Sequence, residues 1–220
     1  MKEQENKLES LREVVYRQLK EDIIYGRINP GEKMLEMDLA ERFKVSRTPI
    51  REALLQLEKR GFVTHEKNVG AVVRKTSLKR LEEYFDLIAI LEQHAVELVA
   101  RQRNNAECVT YLRGLLKEMK GLVRERDYSG YLGKDHEFHT LFAKECGNDT
   151  LYTTVSDLRD RIFGFLERGF TLPRHIDLYL DLHQKVIEAV SEGRALQAGK
   201  LMRDHVMDAK EFILKEQVKG

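Results

Sequence analysis

The chain carries seven histidines in 220 residues, and three of them together with one aspartate stand where they could hold a cation. Asp135 and His139 are four residues apart in a stretch of helical character, which puts a carboxylate and an imidazole on one helical face. His183 and His205 stand on two later helical stretches, and the antiparallel helices of a bundle can bring such faces together. One carboxylate and three neutral imidazoles suit a borderline divalent cation such as Zn²⁺, Ni²⁺ or Mn²⁺. A histidine on a helix is more often a satisfied structural residue, so spacing alone leaves both readings open. His136 lies about 100° around the helix from Asp135 and falls outside such a cluster; His65, His94 and His175 read as structural or surface residues. A metal held this way could activate water. Glu137, the adjacent carboxylate, is two residues from both Asp135 and His139 and so points off their face. There is also no G-x-S-x-G, no H-E-x-x-H and no Gly-rich phosphate loop. An enzyme is not expected.

A second group of residues suits a different chemistry. From Arg42 to Lys75, nine basic side chains face three acidic ones, a charge of +6 over 34 residues. The whole chain carries only +1, with +3 over residues 1–75 and −2 over the rest. Any affinity for nucleic acid must therefore be regional. The apolar pattern between these charges has a definite layout. Leu11, Val14, Val15, Leu19, Ile23 and Ile24 recur at helical spacing before Gly26, and Asn29-Pro30-Gly31 reads as a turn. A short helix fits Glu36 to Phe43, and Lys44-Val45 leaves room only for a tight turn. Ser46 is a suitable N-cap, and Pro49 sits within the first turn of the next helix, which runs to Gly61. Phe62-Val63-Thr64 and Ala71-Val72-Val73 read as two short strands joined by a polar loop ending in Gly70. This is the order of a winged helix-turn-helix. In such a module the head of the third helix enters the major groove, and here it carries Ser46, Arg47, Thr48 and Arg51. Arg47 and Arg51 share one face and can each donate two hydrogen bonds to guanine, while Ser and Thr hydroxyls suit phosphates.

The elements that must position the histidines lie beyond residue 76. Helical stretches fit 78–102, 106–126, 129–146, 149–168, 174–192 and 194–215, with breaks at Asn104-Asn105, Gly147-Asn148, Gly169 with Pro173, and Gly193. The expected fold is mainly α: a winged helix-turn-helix over residues 1–75, then an all-α six-helix bundle over 76–220 that can enclose a cavity. Composition agrees, because 34% of residues are charged and only three are proline. No window approaches the ~20 apolar residues needed to cross a membrane, and residues 1–10 lack the apolar core of a signal peptide. Cys108 and Cys146 have no ligand-like spacing and read as reduced thiols of a cytoplasmic protein.

The run from Leu35 to Leu54, with SRTPIREAL at residues 46–54, then Leu57 and Gly61-Phe62-Val63, resembles the signature of the GntR family of bacterial transcription regulators. The resemblance implies a homodimer on a palindromic double-stranded DNA operator. Arg47, Thr48 and Arg51 match DNA-contact positions, Gly70 the wing tip near the minor groove, and Arg42 a phosphate contact. The last 145 residues resemble the helical FCD effector domain of the FadR-type subgroup, in its six-helix, VanR-like form. Asp135, Phe138 and His139 fit its first element; His183 with Val186 and Ala189-Val190 fits the second; Met202 and His205 fit the third. All four ligand positions of the metal-binding members are thus filled. Gly147-Asn148 matches the break after the first element. Ile88 stands where hydroxy-acid-binding members have an arginine three residues before Leu91, so an organic-acid effector would need the metal and another cation, such as Arg161, with Asn148 nearby. The implied function is a regulator, most often a repressor in this family, whose operator affinity is set by a small metabolite at the metal site.

Overall fold

The computed structural model describes residues 10–66, 69–166 and 176–218, and the chain divides between Thr76 and Ser77 into two units. In the first unit, helix α1 (Leu11–Ile24) starts at a reciprocal cap. The Ser10 hydroxyl accepts from Glu13 N–H while the Glu13 carboxylate accepts from Ser10 N–H. Helices α2 (Glu36–Phe43) and α3 (Arg47–Lys59) are separated by a turn so short that Lys44 takes a left-handed φ of 55°. Ile50, Ala53, Leu54 and Leu57 form the buried face of α3, which packs on α1. Strands β1 (Lys33–Met34), β2 (Val63–Glu66) and β3 (Gly70–Val73) form an antiparallel sheet in the order β1-β3-β2.

Three details differ from the sequence reading. Strand β1 was not expected, since two residues carry no alternation; it forms because the main chain of Gly31 and Glu32 bonds to Val73, N to O at 2.8 and O to N at 3.0 Å. Strand β2 begins at Val63 and runs to Glu66, because Phe62 N–H closes the end of α3 on Leu57 O instead. Ser46 occupies the position before α3 in extended conformation, yet its hydroxyl makes no capping hydrogen bond. One buried acid organises the unit. Asp22 of α1 has no exposed surface and accepts from Arg27 Nε at 2.6 Å and from Arg42 Nη2 at 2.5 Å, tying α1 to the last turn of α2.

The second unit contains six helices among the described residues: α4 (Leu78–Arg101), α5 (Ala106–Glu125), α6 (Tyr128–Glu145), α7 (Asp149–Leu166), α8 (Ile176–Ser191) and α9 (Ala195–Val218). The expected break at Gly169 and Pro173, the ends placed at 168 and 174, His175 and Lys67 all lie outside the described residues. Ser77 caps α4, its hydroxyl accepting from Arg80 N–H at 3.2 Å. Helix α4 is the centre of the bundle and packs against α6, α7, α8 and α9. Its inner face is Leu81, Phe85, Ile88, Ala89, Ala95, Val96 and Val99, interrupted by Glu92, which has no exposed surface; a second carboxylate, Glu97, is also buried and pairs with Arg101. Lys210 fastens α9 to α4 through Asp86 at 2.6 Å and Glu82 at 3.3 Å. No described helix is long and apolar enough to cross a membrane. Cys108 and Cys146 are both free and buried, and burial pushes the Cys108 thiol up to about 11.

Asp22→Ala should lower the stability of the N-terminal unit by about 1–3 kcal/mol, the range for hydrogen bonds to a buried charged acceptor. Chemical denaturation followed by circular dichroism measures this, and an unchanged midpoint would contradict the role given to Asp22.

Candidate metal centre and DNA-binding surface

Three helices each turn one imidazole inward. His139 of α6, His183 of α8 and His205 of α9 are buried, and their Nε2 atoms form a triangle with sides of 3.1, 3.2 and 3.3 Å. Asp135, one helical turn before His139, sets Oδ1 at 3.8 Å from His139 Nε2 and 3.5 Å from His183 Nε2. The candidate ligand atoms all lie within 4.8 Å of one another. Nitrogens bound to one ion at about 2.0–2.1 Å with tetrahedral angles stand about 3.3 Å apart. The four residues therefore have the spacing of a coordination set.

Electrostatics favour the form that binds a cation. Burial, more than any neighbouring charge, holds all three imidazoles well below the usual histidine range, and the Arg159 guanidinium pushes the same way. Burial raises the Asp135 carboxyl to about 6, against the opposing pull of Arg159. Behind the cluster, Arg159 of α7 forms a two-pronged ion pair with Glu92 of α4. Glu92 Oε2 also lies 2.8 Å from His139 Nδ1, and Arg159 Nη2 lies 2.7 Å from the same nitrogen. A ring nitrogen cannot accept from Arg159 and donate to Glu92 at once. With its proton on Nδ1, the ring donates to Glu92 and turns a bare Nε2 toward its neighbours. The Nδ1 atoms of His183 and His205 have no hydrogen-bond partner among the described residues. A cavity of about 40 Å³ adjoins the cluster, walled by Tyr131, Asp135, His139, Arg159, Tyr179 and His205 with apolar side chains of α4, α7 and α9.

The sequence reading missed Arg159 and Glu92 as parts of this site. It chose Arg161 instead, two residues on and about 200° around α7. Arg161 is not in the cavity wall; its Nη1 donates to Tyr84 OH at 3.0 Å and its guanidinium lies 5.4 Å from the centre of that ring. Asn148 is likewise not in the wall: it is exposed, and its Oδ1 accepts from Leu151 N–H at 3.0 Å, capping α7. His136 is outside the cluster, with Nε2 at 3.0 Å from Asp160 Oδ1. Glu137 faces Tyr111 and Lys134.

On the first unit, the head of α3 is open. Ser46, Arg47, Thr48 and Arg51 are all exposed. Both arginines meet one carboxylate, Glu36 at the start of α2: Arg47 through Nη2 at 2.8 Å and Nε at 3.2 Å, Arg51 through Nε at 2.8 Å. Arg42 is half-exposed with Nη2 committed to Asp22. Gly70 is exposed at the start of β3 with φ of 96°, a left-handed conformation that favours glycine at the tip of the wing.

Residues 83–208 match the FCD domain, and residues 11–73 match the bacterial regulatory proteins of the gntR family. The chain belongs to the GntR family and carries an FCD domain. The regulator is 29% identical over 177 residues to the uncharacterized HTH-type transcriptional regulator YdhC of Bacillus subtilis (strain 168), covering 80% of this chain and 79% of that one. It is 36% identical over 139 residues to the Nta operon transcriptional regulator of Aminobacter aminovorans, covering 60% and 62%. Its fold is similar to the solved structure of E. coli McbR/YncC, with a TM-score of 0.82 at 20% identity over 96% of this chain and 100% of that one. The regulator is thus a DNA-binding protein of transcription control, and its relatives are regulators rather than enzymes.

The buried trio makes the regulator's stability depend on pH. An unfolded imidazole takes up a proton near 6.5, whereas the three buried rings stay neutral well below that. Below pH 6.5 the unfolded chain therefore binds more protons, and stability falls as pH falls. Asp135 works the other way, at about 6 in the fold against 3.8, but three rings outnumber one carboxyl. Chelator-treated regulator should lose up to about 1.4 kcal/mol per pH unit for each unopposed ring on acidification below pH 6.5. Urea midpoints measured over that acidification would be flat if the rings were charged in the fold.

Proposed function

We propose that the regulator is a repressor whose hold on a palindromic operator is set by a small metabolite, bound with a divalent cation inside the helical unit. The observation that carries this reading is the buried triangle of Nε2 atoms completed by Asp135. Three neutral nitrogens facing one another in a water-poor interior are unfavourable company for each other and good company for a cation. Asp135, His139, His183 and His205 would hold the ion, and Glu92 would keep the His139 proton on Nδ1, the tautomer a ligand needs. Zn²⁺, Ni²⁺ and Mn²⁺ all suit this donor set, and any of them offers a Lewis-acid position to a metabolite oxygen. The wall beside it supplies two phenols, Tyr131 and Tyr179, and the Arg159 guanidinium, which suits a small organic acid.

On the operator side, Arg47 and Arg51 read base edges, Ser46, Thr48 and Arg42 meet phosphates, and Gly70 lets the wing backbone approach the minor groove. A homodimer sets two such heads about one turn of DNA apart. The metabolite acts on DNA only through unequal affinity for the dimer geometries that do and do not fit the operator.

Regulator purified without chelator should carry about one ion per chain by elemental analysis, and His183→Ala should abolish that stoichiometry; folded wild type without metal, and unable to take it up, would overturn the metal reading. Glu92→Gln should weaken metal binding by about 10–100-fold, as loss of a ligand-orienting partner does, and should also lower the stability of the helical unit by about 3–5 kcal/mol, because it leaves buried Arg159 without its carboxylate. Arg47→Ala and Arg51→Ala should each weaken operator binding by roughly 1–3 kcal/mol and relax sequence preference, read by electrophoretic mobility shift. Wild-type preference in both would refute the recognition-helix assignment.

A further inference from the structure

A carboxylate stands among the arginines at the head of α3. Glu36, the first residue of α2, takes both guanidiniums: Arg51 through Nε to each oxygen at 2.8 Å, and Arg47 through Nη2 and Nε to Oε2 at 2.8 and 3.2 Å. The arginine side chains are 54% and 57% exposed and the glutamate 28%, so the trio lies at the surface with the acid set deeper. Arg51 and then Arg47 hold the Glu36 carboxyl below its usual range, and the position at the N-terminus of α2 favours the same charge.

A surface built only to attract phosphates would gain from losing this group. Glu36 cancels one of the two positive charges and repels the DNA backbone. What it supplies is geometry. Arg51 meets it along the Nε edge, and the two terminal nitrogens of that guanidinium have no partner among the described residues. Those terminal nitrogens are a pair that can meet guanine O6 and N7 side by side. An unrestrained arginine has large rotamer freedom to lose on binding, and a carboxylate that already fixes it removes part of that cost.

We infer that Glu36 is a specificity-determining positioning residue: it holds Arg47 and Arg51 ready for base edges and withholds their charge from indiscriminate phosphate contact. This rests on the assignment of α3 as the recognition helix. Glu36 need not touch DNA to act; it sets the ratio between specific and non-specific affinity.

The test uses the full-length regulator and two duplexes of equal length, one enriched by the wild type from a random library and one of random sequence. Binding is followed by fluorescence anisotropy over a series of salt concentrations. Glu36→Gln keeps the shape and removes the charge. It should tighten binding to the random duplex, steepen the log–log salt slope by about 0.9 for one more phosphate contact, and cut discrimination between the duplexes about tenfold. Glu36→Asp keeps the charge but shortens the reach, so its salt slope should stay near wild type while discrimination still falls. Unchanged slope and discrimination in Glu36→Gln would overturn the inference. So would equal weakening on both duplexes, which marks a merely structural role. If Arg47→Ala and Arg51→Ala keep wild-type preference for the enriched duplex, the recognition-helix assignment fails and the inference falls with it; if they lose it while Glu36→Gln does not, the inference alone fails.

Discussion

Three imidazole nitrogens within 3.1–3.3 Å of one another, in a space from which water is largely excluded, are the constraint on which the helical unit turns. No two rings can both donate along one such contact, and a proton on any of them would leave a poorly compensated charge beside Arg159. The rings are therefore neutral, and their orientation has to be imposed from outside. For His139 that is the work of Glu92 and Arg159, which come from α4 and α7 and close on it from behind; His183 and His205 have no such partner on Nδ1 among the described residues. Of the six helices, five send a polar side chain to this point; α5 alone packs without contributing one. A carboxylate with no exposed surface in the apolar face of α4 would be a liability by itself. Between a guanidinium and an imidazole it is satisfied.

The first unit handles charge with the same device of acids that organise bases, but its arginines are half-exposed. Asp22 holds Arg27 and Arg42, and Glu36 holds Arg47 and Arg51. Both acids precede Arg42 in the chain. A charge count confined to Arg42–Lys75 gives +6 because it leaves out the partners that folding brings back. The basic footprint is real but less free than its count, and three of its arginines are held in place by carboxylates. A surface of this kind trades non-specific attraction for order.

Much of this was legible in the sequence, and the illegible parts have physical reasons. Helices of the second unit announce themselves by period and by breaks at Asn105, Gly147 and Gly193, and their ends fall within a few residues of expectation where they are described. Asp135 and His139 were readable because a four-residue spacing is a local fact. His183 and His205 could be joined to them through antiparallel packing only as one of two open readings, since nothing local links α8 and α9 to α6, and the resemblance favoured it. Arg159 and Glu92 meet across 67 residues with no periodic signature. Choosing Arg161 instead of Arg159 moved the expected cation to another face of α7, and Asn148, expected beside the effector, caps α7. Ser46 had the right residue type and position for a cap, but its hydroxyl makes no capping hydrogen bond.

Along the chain, the two units are joined by a very short segment. The wing ends at Val73, Ser77 caps α4, and only Arg74, Lys75 and Thr76 lie between them. Helix α4 is thus the continuation of the DNA-binding unit in the chain and also the bearer of Glu92. Its polar ties run from Glu92 to His139 of α6 and Arg159 of α7, and from Asp86 and Glu82 to Lys210 of α9.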